Sequence, residues 1–296
     1  MTYEEITRMV AEESPDIIYL SDPSTYKLLY LNRTAMESYG FTCDAQWLNM
    51  PCYRLLQHKD RPCRFCTNKR LRPDRYLVWT YHNPVLNGNY LVKDKLVDLD
   101  GRPVRLEVAS DISAQAAVER ELQERLHTQE TLVKCIQTLN WNDDIDKAIQ
   151  DLLSLIAQYH QADHAYVFQT DEDGAHISNT HEWCRQGVRA RLNGLQRLPY
   201  AVAERWFAHF ERCGEFLVSS LPETQNLYKA DYESLARLGI QSIMSAPLRL
   251  DGRVVGFLGV DNPTEFVNDM TLLHSVASFV VNDLNKSRMA REHLTA

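Results

Sequence analysis

The chain has 296 residues, of which 44% are apolar and 24% are charged, and its formal net charge is −8. This composition is that of a globular protein and excludes a collagen, a coiled-coil rod and a disordered tail. At roughly 100–200 residues per domain, the length predicts two domains. The negative charge argues against a nucleic-acid partner for the whole chain. No apolar run approaches the ~20 residues of a membrane span, and an odd number of cysteines favours a reducing compartment. We therefore expect a cytoplasmic protein without a membrane or nucleic-acid partner.

The first half carries the signals of an antiparallel sheet. The pairs Asn87-Gly88 and Asp100-Gly101 are typical of tight hairpin turns, since both tolerate positive φ angles. Aromatic and branched residues fill 76–81 and 90–92, and apolar residues alternate over 104–108, as expected of strands.

Three cysteines in this half form the motif C-x10-C-x2-C, at Cys52, Cys63 and Cys66. Of all patterns in the sequence, this one most directly indicates a metal or redox site. Two thiolates in a C-x2-C can reach one metal ion, and soft thiolates suit zinc or an iron–sulfur cluster. The nearby arginines and lysines would also favour a redox-active thiol pair. Three ordinary thiols are the remaining alternative, and the spacing alone leaves all three open.

A long helix is predicted after Asp111 and Ser113, both of which are good N-cap residues. No Gly or Pro interrupts it as far as Leu139. An apolar stripe along it predicts a parallel homodimer through the linker helices, with a twofold partner covering Leu122, Leu126, Val133 and Ile136.

The second half repeats the pattern of hairpins and helices. Asp173-Gly174 and Asp251-Gly252 predict hairpins, the second between strands over 243–250 and 254–260. One helix is predicted from near Asp143, with five apolar residues on one face. Another begins near Asn268, with Leu273, Val276, Val280 and later residues in heptad-like spacing. The fold class is therefore α+β, with two domains that each pair an antiparallel sheet with helices.

The first half resembles a PAS domain over about residues 5–113. The resemblance rests on the strand DIIYLSD at 16–22, the helix NRTAMESYGF at 32–41 and the ending Asp111-Ile112-Ser113, which is similar to the family's Asp-Ile-Thr end motif. The string C-x10-C-x2-C, with Pro62 before its second cysteine, is similar to a cysteine-bearing PAS variant. In this family ligands lie between the sheet and the short helices, which implies Trp79 and Tyr81 as candidate ligand-binding residues.

The second half resembles a GAF domain over roughly residues 130–290. The strings HEWCRQG at 181–187, IQSIMSAPL at 240–248 and GFLGVDNP at 256–263 carry the resemblance. It implies Trp183, Cys184 and Tyr228 as candidate ligand-binding residues. The last string is similar to GAF domains in bacterial proteins that end in a GGDEF-type diguanylate cyclase.

Catalytic motifs are missing from the sequence: it has no P-loop, no H-E-x-x-H and no G-x-S-x-G. We therefore expect a non-enzymatic PAS–GAF sensory module that binds a small ligand, or senses redox or metal state. Its output would be a C-terminal diguanylate cyclase in cyclic di-GMP signalling. The alternatives are the sensor half of a histidine kinase, or a metal or redox protein built on the cysteine trio. The expected division is 1–113 PAS-like, 114–139 linker helix, 140–285 GAF-like and 286–296 the start of a helix into the output domain.

Overall fold

The computed structural model describes residues 2–142, 144–224 and 229–295. The chain divides into two compact units, unit 1 over 1–123 and unit 2 over 124–296. Both units combine helices with an antiparallel sheet, so the predicted α+β class is confirmed. No helix in these described ranges has both the length and the apolarity that a bilayer crossing requires.

Unit 1 is built on a five-stranded sheet with the order β2-β1-β5-β4-β3, in which every neighbouring pair is antiparallel. Its helices and strands are α1 Tyr3–Glu12, β1 Ile17–Ser21, β2 Leu28–Leu31, α2 Arg33–Ser38, α3 Cys52–Leu55, β3 Leu77–Asn83, β4 Gly88–Leu99 and β5 Arg102–Asp111.

The predicted hairpin turns lie where the sequence placed them. Asp100 and Gly101 both have positive φ angles between β4 and β5, and Asn87 has one directly before β4. Short polar side chains and glycine adopt this conformation at low cost, so these residues set the strand register. The core between the sheet and its short helices is mostly aliphatic and aromatic, and includes Leu28, Trp47 and Val92.

The long helix α4 spans Ser113–Trp141, and the division between the units falls within it. As predicted, Asp111 caps it: its Oδ1 accepts a hydrogen bond from the backbone N–H of Ser113 at 2.8 Å. Cys135 and Leu139 belong to the core of unit 2. The predicted apolar stripe lies elsewhere on the helix, because Leu122, Leu126 and Val133 are 49–56% exposed.

Unit 2 is built on a six-stranded antiparallel sheet with the order β8-β7-β6-β11-β10-β9. Its helices and strands, after α4, are α5 Ile145–His160, β6 His164–Thr170, β7 His176–Cys184, β8 Leu198–Pro199, α6 Glu204–Cys213, β9 Phe216–Val218, α7 Leu221–Thr224, α8 Lys229–Arg237, β10 Ile243–Leu250, β11 Arg253–Asp261 and α9 Thr271–Thr295.

Each face of this sheet carries its own core. On one face α5 and α9 pack against Val167, Leu258 and other aliphatic side chains. On the opposite face α6 and α8 pack around Phe210, Phe257 and neighbouring aromatic residues. Because side chains alternate along a strand, consecutive residues of β6, β7, β10 and β11 belong to different cores.

The first turns of α9 carry the apolar residues that the sequence showed at heptad-like spacing. Leu273, Val276 and Val280 are at most 1% exposed and belong to the α5/α9 core of unit 2. Their spacing reflects packing against the sheet of their own unit, so this part of α9 is not a surface for a second helix. The same applies to the predicted apolar face of α5, since Ile149, Leu152 and Ile156 are fully buried.

Candidate functional site

Unit 2 contains a cavity of about 580 Å³ on the sheet face that carries α6 and α8. Its walls are mainly aromatic and aliphatic. Phe168 stacks on Phe257 with ring centroids 4.8 Å apart, and Trp206 lies 5.6 Å from Phe257. Small-molecule sites have volumes of about 300–1,000 Å³, apolar walls and a few polar groups. The cavity has this size and lining.

A buried ion pair lies at one end of the cavity. The Asp261 side chain is 1% exposed and pairs with the Arg191 guanidinium, which also donates to the Leu238 carbonyl at 2.7 Å. The hydroxyl of Tyr166 donates to Asp261 Oδ1 at 2.9 Å. Burial raises the pKa of Asp261, and the Arg191 charge only partly offsets this. Asp261, Arg191 and Tyr166 all lie in the cavity wall, so a ligand would meet fixed, oppositely charged groups there.

Arg191 is held in place by a second carboxylate. Glu182 Oε2 accepts hydrogen bonds from the backbone N–H groups of Arg191 and Leu192 at 2.8 and 2.9 Å. These bonds fix the start of the short turn 192–194 and so aim the Arg191 side chain toward Asp261. Glu182 itself lies in the cavity wall.

Two further arginines line the cavity on its exposed side, Arg205 on α6 and Arg237 on α8. The Arg237 guanidinium donates to the Glu233 carbonyl and the Ser234 hydroxyl, which orders it on its own helix. The lining of the cavity thus has three arginines, Arg191, Arg205 and Arg237, and two carboxylates, Glu182 and Asp261.

Unit 1 has a much smaller cavity, of about 50 Å³, between its sheet and the segment that carries the cysteines. Both predicted ligand residues, Trp79 and Tyr81, line it. With Phe65 they form an aromatic cluster, in which Phe65 and Tyr81 have ring centroids 4.7 Å apart. A cavity of this volume holds a few water molecules and excludes a ligand of drug size.

A buried network of charges adjoins this small cavity. The Arg105 guanidinium bonds to Asp94 at 3.0 Å and also pairs with Glu107, whose Oε2 accepts from the Tyr19 hydroxyl at 2.8 Å. The Trp79 indole N–H donates to Asp94 Oδ2 at 2.9 Å. Arg105 thus pairs with two buried carboxylates, Asp94 and Glu107. Burial raises the pKa of Glu107 to about 7.

The three cysteines of the C-x10-C-x2-C motif all line the unit 1 cavity. The N–H of Cys66 donates to the Cys63 carbonyl at 3.1 Å, so the C-x2-C forms a tight turn. However, the three sulfur atoms of Cys52, Cys63 and Cys66 do not form a group within 4.8 Å of one another. Burial raises the pKa of Cys52 to about 12 and also raises that of Cys63, which opposes thiolate formation. The zinc or iron–sulfur site at this trio stays a prediction.

The ligand residues predicted in the second half fare differently. The prediction for Trp183 is wrong. Trp183 packs into the α5/α9 core, on the sheet face away from the cavity, because neighbouring residues of β7 alternate between the two faces and Glu182 takes the cavity side. Cys184 lies on the same side as Glu182 but outside the cavity wall. Tyr228 falls outside the described residues.

Sequence reasoning missed Arg191 and the role of Asp261. The one available signal was Asp261 itself, a charged residue that directly follows the apolar stretch 257–260. Nothing in the sequence around Arg191 indicates that it reaches a carboxylate 70 residues further along the chain.

Comparison with known proteins found a family model that matches the region that forms this cavity. The GAF domain family model matches residues 144–284. GAF domains are regulatory sensor domains, which agrees with the lack of a catalytic motif in the sequence. The match contains the α6/α8 core of unit 2 and the whole lining of the larger cavity.

One curated relative is the methanogenesis regulatory histidine kinase FilI of Methanothrix harundinacea (strain 6Ac), which is 32% identical over 164 residues. The match covers 52% of this chain but only 18% of the relative, so the chain spans less than a fifth of that protein. The relative is a histidine kinase, which supports the alternative output and gives no support to the expected diguanylate cyclase and cyclic di-GMP signalling.

Solved structures with a similar arrangement have low identity. The chromophore-binding domain of a Stigmatella aurantiaca bacteriophytochrome is 15% identical, with a TM-score of 0.47. The match covers 93% of this chain and 99% of that domain. The PAS domain of an HTR-like protein from Haloarcula marismortui is 16% identical, with a TM-score of 0.32, and covers 37% of this chain and 91% of its own. With TM-scores below 0.5, neither bears on the ligand of this chain.

Proposed function

We propose that this chain is a sensory region of a signalling protein, in which the GAF region of unit 2 binds a small organic anion and regulates a histidine kinase output. The observation that carries the proposal is the 580 Å³ cavity, with its aromatic walls, its buried Arg191–Asp261 pair and its basic mouth. Aromatic walls favour a flat apolar body, and the arginines at the mouth favour a carboxylate, sulfonate or phosphate on it.

The kinase output is supported by the identity with the histidine kinase relative. Unit 1 is proposed as a PAS-type sensor that precedes the GAF region. Its support is the continuous passage from β5 through the Asp111 cap into α4, the place where a PAS domain passes into a signalling helix.

The cavity can be tested with anilinonaphthalene sulfonate, an aromatic sulfonate whose fluorescence rises in apolar surroundings. We expect the native full chain to bind about one equivalent. Leu198→Trp adds an indole to the cavity wall and should abolish binding, whereas Arg205→Gln should weaken it through loss of a cation at the mouth.

Leu99→Trp is the matched control, since Leu99 is 47% exposed at the end of β4 and lines neither cavity. It should bind the probe as the native chain does. Binding that survives Leu198→Trp while the melting curve stays native would place the probe elsewhere and contradict the proposal.

A further inference from the structure

Three residues with different ligand atoms meet at the edge of the unit 2 sheet. His164 on β6 and Cys184 on β7 are directly paired across the two strands, and Glu182 lies two residues from Cys184 on the same face. One ligand atom from each lies within 4.8 Å of the other two. The pairing of the strands therefore creates the group, which no motif in the sequence indicates.

The environment of His164 points to a ligand. The residue is 1% exposed, and its Nε2 lies 3.0 Å from the Arg189 carbonyl. Because a carbonyl oxygen only accepts, Nε2 carries the hydrogen, and Nδ1 of the neutral ring is left with a lone pair. Nδ1 is buried and has no hydrogen-bond partner among the described residues. Histidines that bind metals usually have one nitrogen fixed by a carbonyl or carboxylate and the other on the ion.

Glu182, like His164, has one side-chain atom held by hydrogen bonds and another left for an ion. Its Oε2 is occupied by two backbone N–H groups, while Oε1 faces the His164 ring and is the oxygen left for an ion. Its side chain is only 3% exposed. A carboxylate anchored through one oxygen needs little reordering to bind an ion through the other.

We propose that unit 2 binds a divalent transition-metal ion of the zinc type through His164, Glu182 and Cys184. Nitrogen, oxygen and thiolate sulfur are the three donor types that zinc accepts in proteins, at about 2.0–2.3 Å. Three protein ligands leave a fourth position for an exogenous donor. Since Glu182 also lines the 580 Å³ cavity, that position would adjoin the cavity. This proposal does not depend on the organic anion proposed above.

Binding must release a proton from the thiol. Metal ions bind the thiolate form of cysteine, whereas a free thiol is mostly protonated at neutral pH. The ion replaces this proton and bonds to the thiolate, which gives a net release of one proton per ion.

The test uses the full chain with Cys63→Ser and Cys66→Ser, so that the cysteine motif of unit 1 does not contribute. After treatment with a chelator, the protein is titrated with cobalt(II) chloride, whose thiolate complexes have a charge-transfer absorption in the near ultraviolet. We expect this band to saturate at one ion per chain, with the release of about one proton.

Cys184→Ser should abolish the band. Cys213→Ser, which removes an exposed thiol of the same unit, should leave it unchanged. Glu182→Gln keeps an oxygen for the two backbone N–H groups but loses the negative charge, and should weaken binding without loss of the native melting transition. It serves as the second variant if Cys184→Ser does not fold. No band in the parent chain, a band that survives Cys184→Ser, or unchanged affinity in Glu182→Gln would each overturn the proposal.

Discussion

Removal of the Arg191 charge tests the central feature of the unit 2 cavity. Arg191→Met keeps the apolar stem and leaves the carboxylate of Asp261 buried, with Tyr166 as its remaining side-chain donor. Loss of one partner of a buried ion pair costs about 3–5 kcal/mol. At about 2–4 °C per kcal/mol for a domain of this size, the melting temperature of unit 2 should fall by roughly 6–20 °C.

The loss should depend on pH in a defined direction. Burial already raises the pKa of Asp261 in the native chain, and without Arg191 this pKa rises further. A group whose pKa is raised by folding contributes stability below its unfolded pKa, about 3.9, and loses it as the pH rises through the folded value. In Arg191→Met the folded pKa of Asp261 is higher, so Asp261 stays protonated and uncharged over more of the pH range. The loss of stability relative to the native chain should therefore be larger at pH 8 than at pH 5.

Calorimetry of three variants separates charge from packing. Arg191→Met/Asp261→Asn should recover most of the lost stability and remove its pH dependence, because no charge is left unpaired. Arg185→Met is the matched control: Arg185 is 55% exposed in its pair with Asp163, and such surface pairs contribute at most about 1 kcal/mol. Equal losses in the two single variants, or no recovery in the double variant, would refute the reasoning.

Three further predictions concern unit 1, the sheet of unit 2 and α4. Because the folded pKa of Glu107 is raised to about 7, the free energy of unfolding of unit 1 should fall by up to about 3 kcal/mol as the pH rises from 4.5 to 8, and Glu107→Gln should flatten this slope in urea titrations. Gly256→Ala places a methyl group against a carbonyl of the neighbouring strand and should cost about 1–3 kcal/mol or more, whereas Gly194→Ala meets open space and should be neutral. Light scattering should show a dimer for the native chain and a monomer for Leu122→Glu/Val133→Glu; a monomer in both would exclude the linker-helix dimer.

Local signals predicted the fold because they act over a few residues. The Asp100-Gly101 and Asp251-Gly252 pairs set hairpins through their own φ angles, and the apolar period of α5 predicted its buried face. The position of Asp111 likewise predicted the start of α4.

Local patterns could not predict the candidate site, because it is formed by residues that are distant in the sequence. Trp183 and Cys184 were both predicted as ligand residues, although neighbouring residues of a strand point to opposite sides of the sheet. The partners of the site are also far apart in the chain, since Arg191 meets Asp261 across 70 residues and His164 meets Cys184 only through strand register. Long-range pairing of this kind is decided by the packing of whole elements.

Three consecutive residues of β7 point alternately to the two faces of the unit 2 sheet. Trp183 is tied to the interior shared with α5 and α9, whereas Glu182 and Cys184 face the side that carries the cavity. Substitutions at the latter two positions change the polar groups on the cavity side and leave the α5/α9 core in place, and substitutions at Trp183 do the reverse. Under the proposed function, a descendant of this chain can therefore change its ligand through one set of positions while the other set keeps the α5/α9 core unchanged.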